Sequence, residues 1–212
     1  LYTVDLVCYG VPSLVVWKRY LEYISKKMGN RKITSVKFRD KSAGWSNPTL
    51  RIEFDDKHQY VSPLRKDWFW LGLGYYLNNP CYDCPFSKTP RQGDVTLGDF
   101  WGVPKELHDE KGVSVVLVNS KKGKELVEKV LKRVVLVPIE FKEATKRNPR
   151  IVSGKHKKPK QREEIITIAR KNGFEAVIIK KLMFKRFERT IFSVIRNLRQ
   201  ALHFVTERVI KL

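Results

Sequence analysis

With 212 residues, 42% of them hydrophobic, and 43 Lys and Arg against 22 Asp and Glu, this chain can bury one sizeable core while carrying a net charge of +21. That composition excludes a disordered tail, and no stretch approaches the roughly 18 uninterrupted apolar residues of a membrane span. No basic-then-apolar signal pattern opens the chain, so a reducing cytoplasmic setting is the expected one. Three cysteines, an odd number, argue against a disulfide framework and favour thiolate chemistry or inert buried thiols.

The opening Leu1-Tyr-Thr-Val reads as a strand entered partway, and an upstream portion is expected. Val4 to Val7 is predicted as a buried strand with Cys8 at its tip. Ser13 then caps a helix to Lys27, whose Val16, Tyr20 and Ile24 recur four apart, and Gly29-Asn30 ends it. Ile33 to Phe38 and Thr49 to Phe54 alternate apolar with polar residues, as half-buried antiparallel strands do. Asp55-Asp56-Lys57 reads as a hairpin turn into Gln59-Tyr-Val61. The aromatic block Trp68 to Leu77 leads to Asn78-Asn79-Pro80, and its simplest role is core packing. Beyond the cysteine pair, Asp94 to Gly102 is a short strand entering a Gly-bounded loop. Val113 to Val118 is a β-prone apolar run predicted as a central strand. Lys121 to Arg133 is helical, with Leu126 and Val130 inward, and Val134 to Ile139 is predicted as a further short strand.

The fold class is therefore α+β or α/β, a mixed sheet with flanking helices followed by a basic helical C-terminal tail. The expected divisions are a main domain over residues 1–141, a basic linker over 142–162 and a helical tail over 163–212, with a helix break at Gly173. Charge is uneven: residues 142–212 hold 20 Lys and Arg against 6 Asp and Glu, and residues 1–141 hold 23 against 16.

Chemistry concentrates around the cysteines. Cys81-Tyr-Asp-Cys84 is a Cys-x-x-Cys pair bracketed by Pro80 and Pro85, a spacing that lets two thiolates face one ion across a stiffened turn. Cys8 lies in the turn-rich Asp5-Leu-Val-Cys-Tyr-Gly-Val-Pro-Ser13. Together they form a metal site short of one ligand, or incidental thiols. Zinc would need a fourth ligand, and none of the four histidines stands at finger-like spacing. A thioredoxin-type role would need the pair to open a helix, which Pro85 and the residues after it do not continue. An iron–sulfur cluster takes four thiolates, so a fourth would come from elsewhere. Two loops could serve a cofactor. In Leu97-Gly-Asp-Phe-Trp-Gly102, with Lys111-Gly112, glycines allow close approach of a ligand or simply form a tight turn around a packed Trp. In Phe38-Arg-Asp-Lys-Ser-Ala-Gly-Trp45, Arg39 and Lys41 could hold a phosphate or carboxylate, or be a solvated connection.

In this order, the Cys8 segment, Phe38–Trp45, Cys81–Cys84 and Asp94–Gly102 resemble the C-terminal domain of the coenzyme F420 hydrogenase/dehydrogenase beta-subunit family, over about residues 1 to 141. The resemblance implies an iron–sulfur flavoprotein oxidoreductase that passes electrons between a 4Fe-4S cluster, FAD and a substrate such as the deazaflavin coenzyme F420. It implies Cys8, Cys81 and Cys84 as cluster ligands, with a fourth cysteine in an upstream Gly-Thr-Pro-Cys segment that this sequence does not contain. It places Gly98, Asp99, Trp101, Gly102 and Gly112 near the flavin. Similar bacterial members are associated with polysaccharide biosynthesis. The basic main domain would attract an acidic carrier such as a ferredoxin.

The segment from Phe184 to Val209 has apolar residues every three or four positions amid Lys and Arg, the pattern of an amphipathic cationic helix. It would dock on the main domain or lie at the inner face of an anionic membrane. The competing function is a basic module binding such a surface or nucleic acid, although no nucleic-acid-binding pattern is recognisable and nucleic acid is not the expected partner.

Overall fold

The computed structural model describes residues 1–154 and 157–183. Its architecture is α+β, with two three-stranded sheets. One is mixed: β1 (Val4–Leu6) runs parallel to β5 (Val95–Asp99), which pairs antiparallel with β6 (Ser114–Val118). The other is an antiparallel meander of β2 (Ile33–Asp40), β3 (Thr49–Phe54) and β4 (Gln59–Pro63). The helices are α1 (Leu14–Lys27), α2 (Trp68–Gly72), α3 (Lys121–Val130), α4 (Phe141–Thr145) and α5 (Arg162–Val177).

The meander's inner face follows from alternation. Leu50, Ile52 and Phe54 of β3 are buried while Arg51 and Glu53 between them are not. Against that face pack Val16, Tyr20 and Ile24 of α1, Phe69 of α2, and Ile165, Ala169, Phe174 and Val177 of α5, all in one cluster. Each large apolar side chain so buried contributes about 1.5–3 kcal/mol. Of the expected aromatic block, Phe69, Leu73, Tyr76 and Leu77 are core residues. Ser13 stands at the N-cap of α1, but its side chain makes no cap bond; its N–H donates to the Tyr76 carbonyl at 2.7 Å.

Around the mixed sheet a smaller cluster joins Phe100, Val115, Ala144 and Ile151. Here several expectations are corrected. β1 is not buried: Val4 and Leu6 are exposed, because β1 pairs only with β5 among the described residues. β5 is the central strand and β6 an outer one, and of the apolar run of β6 only Val115 is buried, in the cluster with Phe100, Ala144 and Ile151. Residues 134–140 form no strand; they find no partner strand among the described residues, and Val135 is 92% exposed. Residues 142–162, expected as a basic linker, include most of α4 and the turn Pro149–Ile151, and Ala144, Asn148 and Ile151 are buried there.

The expected break at Gly173 is present, with φ 82° and ψ 177° interrupting α5. A π-helical turn, Ile178–Leu182, extends it and returns Ile178 and Leu182 to the core. No helix among the described residues is long and apolar enough to cross a membrane. The amphipathic segment from Phe184 onward lies outside the described residues.

Candidate functional site

The cysteines sit on two loops that are sewn together. The turn after β1 pairs with the end of the aromatic block: Pro12 bridges Leu77, the Ser13 N–H bonds the Tyr76 carbonyl, and the Asn78 N–H donates to the Val11 carbonyl at 2.8 Å. This places Cys81 so that the Val11 N–H donates to its Sγ at 3.3 Å. Cys8, in the same turn, is exposed; Cys81 and Cys84 are half-buried, and all three are free thiols. Pro80 and Pro85 lie in the first turns of the 3-10 segments Asn79–Asp83 and Pro85–Ser87, where a missing N–H is no loss. Among the described residues no group of three or more His, Cys, Asp or Glu side chains is gathered so as to hold a metal ion. The donor set is nonetheless soft sulfur, and an N–H to Sγ bond is of the kind that stabilises a cluster thiolate.

Two arginines brace the cysteine turn. Arg91, with its side chain 2% exposed, donates to Asp5 Oδ1 at 3.1 Å and to the Leu6 carbonyl at 3.0 Å. It thereby joins the loop after Cys84 to the strand before Cys8, and its Nε and Nη1 are buried without a partner among the described residues. Burial would raise the Asp5 pKa, but hydrogen bonds from Thr96, the Gly93 N–H and Arg91 outweigh it and hold the carboxyl below its usual range. Arg150 stacks on Tyr9, with Cζ 4.0 Å from the ring centroid, and donates to the Tyr9 carbonyl at 3.4 Å.

A second cluster forms where the ends of β2 and β5 meet. Arg39 interrupts the β2 register with φ 79°, a left-handed backbone that a non-glycine residue rarely adopts. That turn aims its guanidinium at β5, where Nη1 bonds Asp99 Oδ2 at 2.7 Å and Cζ stands 5.9 Å from the Trp101 ring centroid. Arg39 Nη2 is buried with no partner among the described residues. Trp101, 42% exposed, stacks at 5.0 Å on the buried Trp45. Gly112, at φ 95°, lies under the Trp45 ring, and a Cβ there would come within 2.4 Å of it. Gly102, at φ 85°, admits the Arg147 stem in the same way.

Of the expected cofactor residues, Arg39, Asp99 and Trp101 are therefore in contact, and Gly112 joins them through Trp45. Gly98 lies one residue earlier in β5, opposite Val115. Lys41 is exposed, its carbonyl accepting from the Gly44 N–H in the intervening turn. Sequence reasoning did not single out Trp45 as a site residue, although it closes the Phe38–Trp45 motif. It also missed Arg91, Arg147 and Arg150; the last two fall in a segment whose composition reads as linker.

The sequence over residues 1–144 matches the family model for the C terminus of the beta subunit of coenzyme F420 hydrogenase/dehydrogenase. The chain belongs to this family. A similar solved structure is a chain of the F420-reducing NiFe hydrogenase complex from Methanosarcina barkeri, 16% identical, with a TM-score of 0.34. The match covers 62% of this chain and 38% of that one, so it spans about two fifths of that chain's length. No curated protein matches the sequence. As a family member the chain is related to oxidoreductase subunits. Arg39, Asp99, Trp101, Gly112 and all three cysteines lie within the matched residues, whereas Arg147 and Arg150 lie beyond them.

Proposed function

We propose that this chain is an electron-transferring oxidoreductase domain that holds FAD against the Arg39–Trp101 cluster and contributes Cys8, Cys81 and Cys84 to a 4Fe-4S cluster. The observation that carries the flavin part is Arg39 Nη2, buried and without a partner among the described residues, beside the exposed Trp101. A buried donor without an acceptor is costly, by about 1–3 kcal/mol, and a ligand oxygen would relieve it. Asp99 holds the guanidinium in place through Nη1 and leaves Nη2 to serve as donor. Trp101, stacked on Trp45 with Arg39 over its ring, brings exposed aromatic surface next to that guanidinium, a combination suited to an anionic ligand with an aromatic ring system. Gly112 keeps Trp45 seated.

For the cluster, the sewn loops hold Cys81 against the Val11 N–H, a backbone donor that fixes the orientation of that sulfur. A cysteine from outside this sequence would supply the fourth ligand. Bound flavin would exchange single electrons for hydride chemistry, and the cluster would carry the single electrons. Candidate partners are an acidic carrier of the ferredoxin class, drawn by the basic main domain, and a hydride acceptor or donor such as coenzyme F420. A polysaccharide pathway is the proposed setting, at the cytoplasmic side of the membrane.

The test is anaerobic purification from the complete gene with iron and flavin quantified. Wild type is expected to be brown, with flavin absorbance and about four irons per chain. Arg39→Met is expected to lose most of the flavin and keep the iron, and Cys81→Ser the reverse. Colourless wild-type protein without iron would defeat the proposal.

A further inference from the structure

Arg150 lies beyond residue 144, where the family match ends, yet it reaches back to the turn carrying Cys8. Its position is built rather than incidental. Asn148 is buried, its Nδ2 donating to the Asp99 carbonyl at 3.4 Å, and Ile151 is fully buried in the Phe100 and Val115 cluster. The Ile151 N–H bonds the Asn148 carbonyl at 3.1 Å, closing the turn. Two anchored residues thus flank Arg150 and hold its guanidinium over Tyr9, the neighbour of Cys8.

We propose that Arg150 is a positioning residue for the cysteine turn, clamping Tyr9 by its ring and carbonyl and setting a fixed positive charge beside the Cys8 sulfur. Burial lowers the Arg150 pKa, and the neighbouring Tyr9 and then Cys8 oppose that shift. The inference rests on the reading of Cys8 as a cluster ligand. A cluster gains negative charge on reduction, so a nearby cation favours the reduced form and raises the midpoint potential. The same Pro149–Ile151 turn is continuous with Arg147, packed on Gly102 next to Trp101, so one short segment outside the family stretch touches both candidate cofactor sites.

Two measurements on the full chain test this, with Arg150→Gln, Arg150→Met, which retains a stem over Tyr9, and the charge-conserving Arg150→Lys. In metal-stripped, reduced protein, the Cys8 alkylation rates with anionic iodoacetate and neutral iodoacetamide are followed by peptide mass spectrometry. The iodoacetate-to-iodoacetamide ratio is expected to fall about threefold in the Gln and Met variants, the effect of one charge several ångströms away in water, and to stay near wild type in Arg150→Lys. In iron-loaded protein, a spectroscopically monitored redox titration is expected to move to more negative potential in the neutral variants, with iron content unchanged. Unchanged ratios in both neutral variants would overturn the placement of charge at Cys8, and an unchanged potential in iron-replete variants would overturn its role. Wild-type protein that takes up no iron would defeat the cluster reading and the potential-setting role with it, while the alkylation ratio, which needs no cluster, would still decide whether the charge sits at Cys8.

Discussion

Asp94 shows how one carboxylate can organise three elements. It accepts from the Thr3 N–H at 2.9 Å, from Thr3 Oγ1 at 2.8 Å and from Ser120 Oγ at 2.6 Å, while Ser120 caps α3 by accepting from the Gly123 N–H. The Ser120 and Thr3 hydrogen bonds hold its pKa down at about 2, below the ordinary 3.8. Asp40 is likewise lowered to about 2, first by Ser42 and then by Arg51. A depressed folded-state pKa contributes stability that is present above the unfolded value and lost as pH falls through the folded one. Denaturant midpoints measured from pH 5 down to pH 2 are therefore expected to fall, and Asp94→Asn should flatten part of that fall. At Gly112, substitution by Ala places a methyl against the Trp45 ring at a left-handed φ. A loss of about 1–3 kcal/mol is expected by denaturant titration, with altered Trp fluorescence.

Among the elements, α2 depends on a buried cap. Asp67, 2% exposed, accepts from the Trp70 N–H at 3.1 Å, from the Tyr20 hydroxyl at 2.7 Å and from the Tyr60 hydroxyl at 3.3 Å. Burial raises its pKa against these donors, so its pH contribution has the opposite sign to that of Asp94: ionisation weakens the fold as pH rises through the folded value. Removing one donor leaves a buried carboxylate less satisfied. Tyr20→Phe is expected to cost about 1–3 kcal/mol in equilibrium unfolding, and a value near zero would mean that Tyr60 or water compensates. The cap was not legible in sequence, because Asp67 precedes an aromatic run whose helical period is too short to show. By contrast, α1 was legible, since Val16, Tyr20 and Ile24 share one face and all three are buried.

On the scale of the molecule, α5 is structural. Phe174 packs on Tyr20 and Phe69, and Arg162, 5% exposed, donates from Nε to the Leu77 carbonyl at 2.7 Å, tying α5 to the residues just before the cysteine pair. Phe174→Ala is expected to cost about 3–5 kcal/mol, and termination before Arg162 should abolish cooperative unfolding. A folded, cooperative protein ending at residue 161 would show that α1, α2 and the meander suffice. By itself the sequence determined α1, the meander, the Gly173 break and the three cysteines with their motifs, because these depend on local period, turn chemistry and residue type. Only the tertiary structure decided that Val134 to Ile139 pairs with no strand among the described residues, that β5 rather than β6 is central, and that the charged segment after Lys142 folds onto the mixed sheet. The same holds for the joining of Arg39 to Asp99 and of Arg150 to Tyr9. Strand order and such contacts arise from which surfaces meet across long stretches of chain, and a local pattern carries no record of that choice.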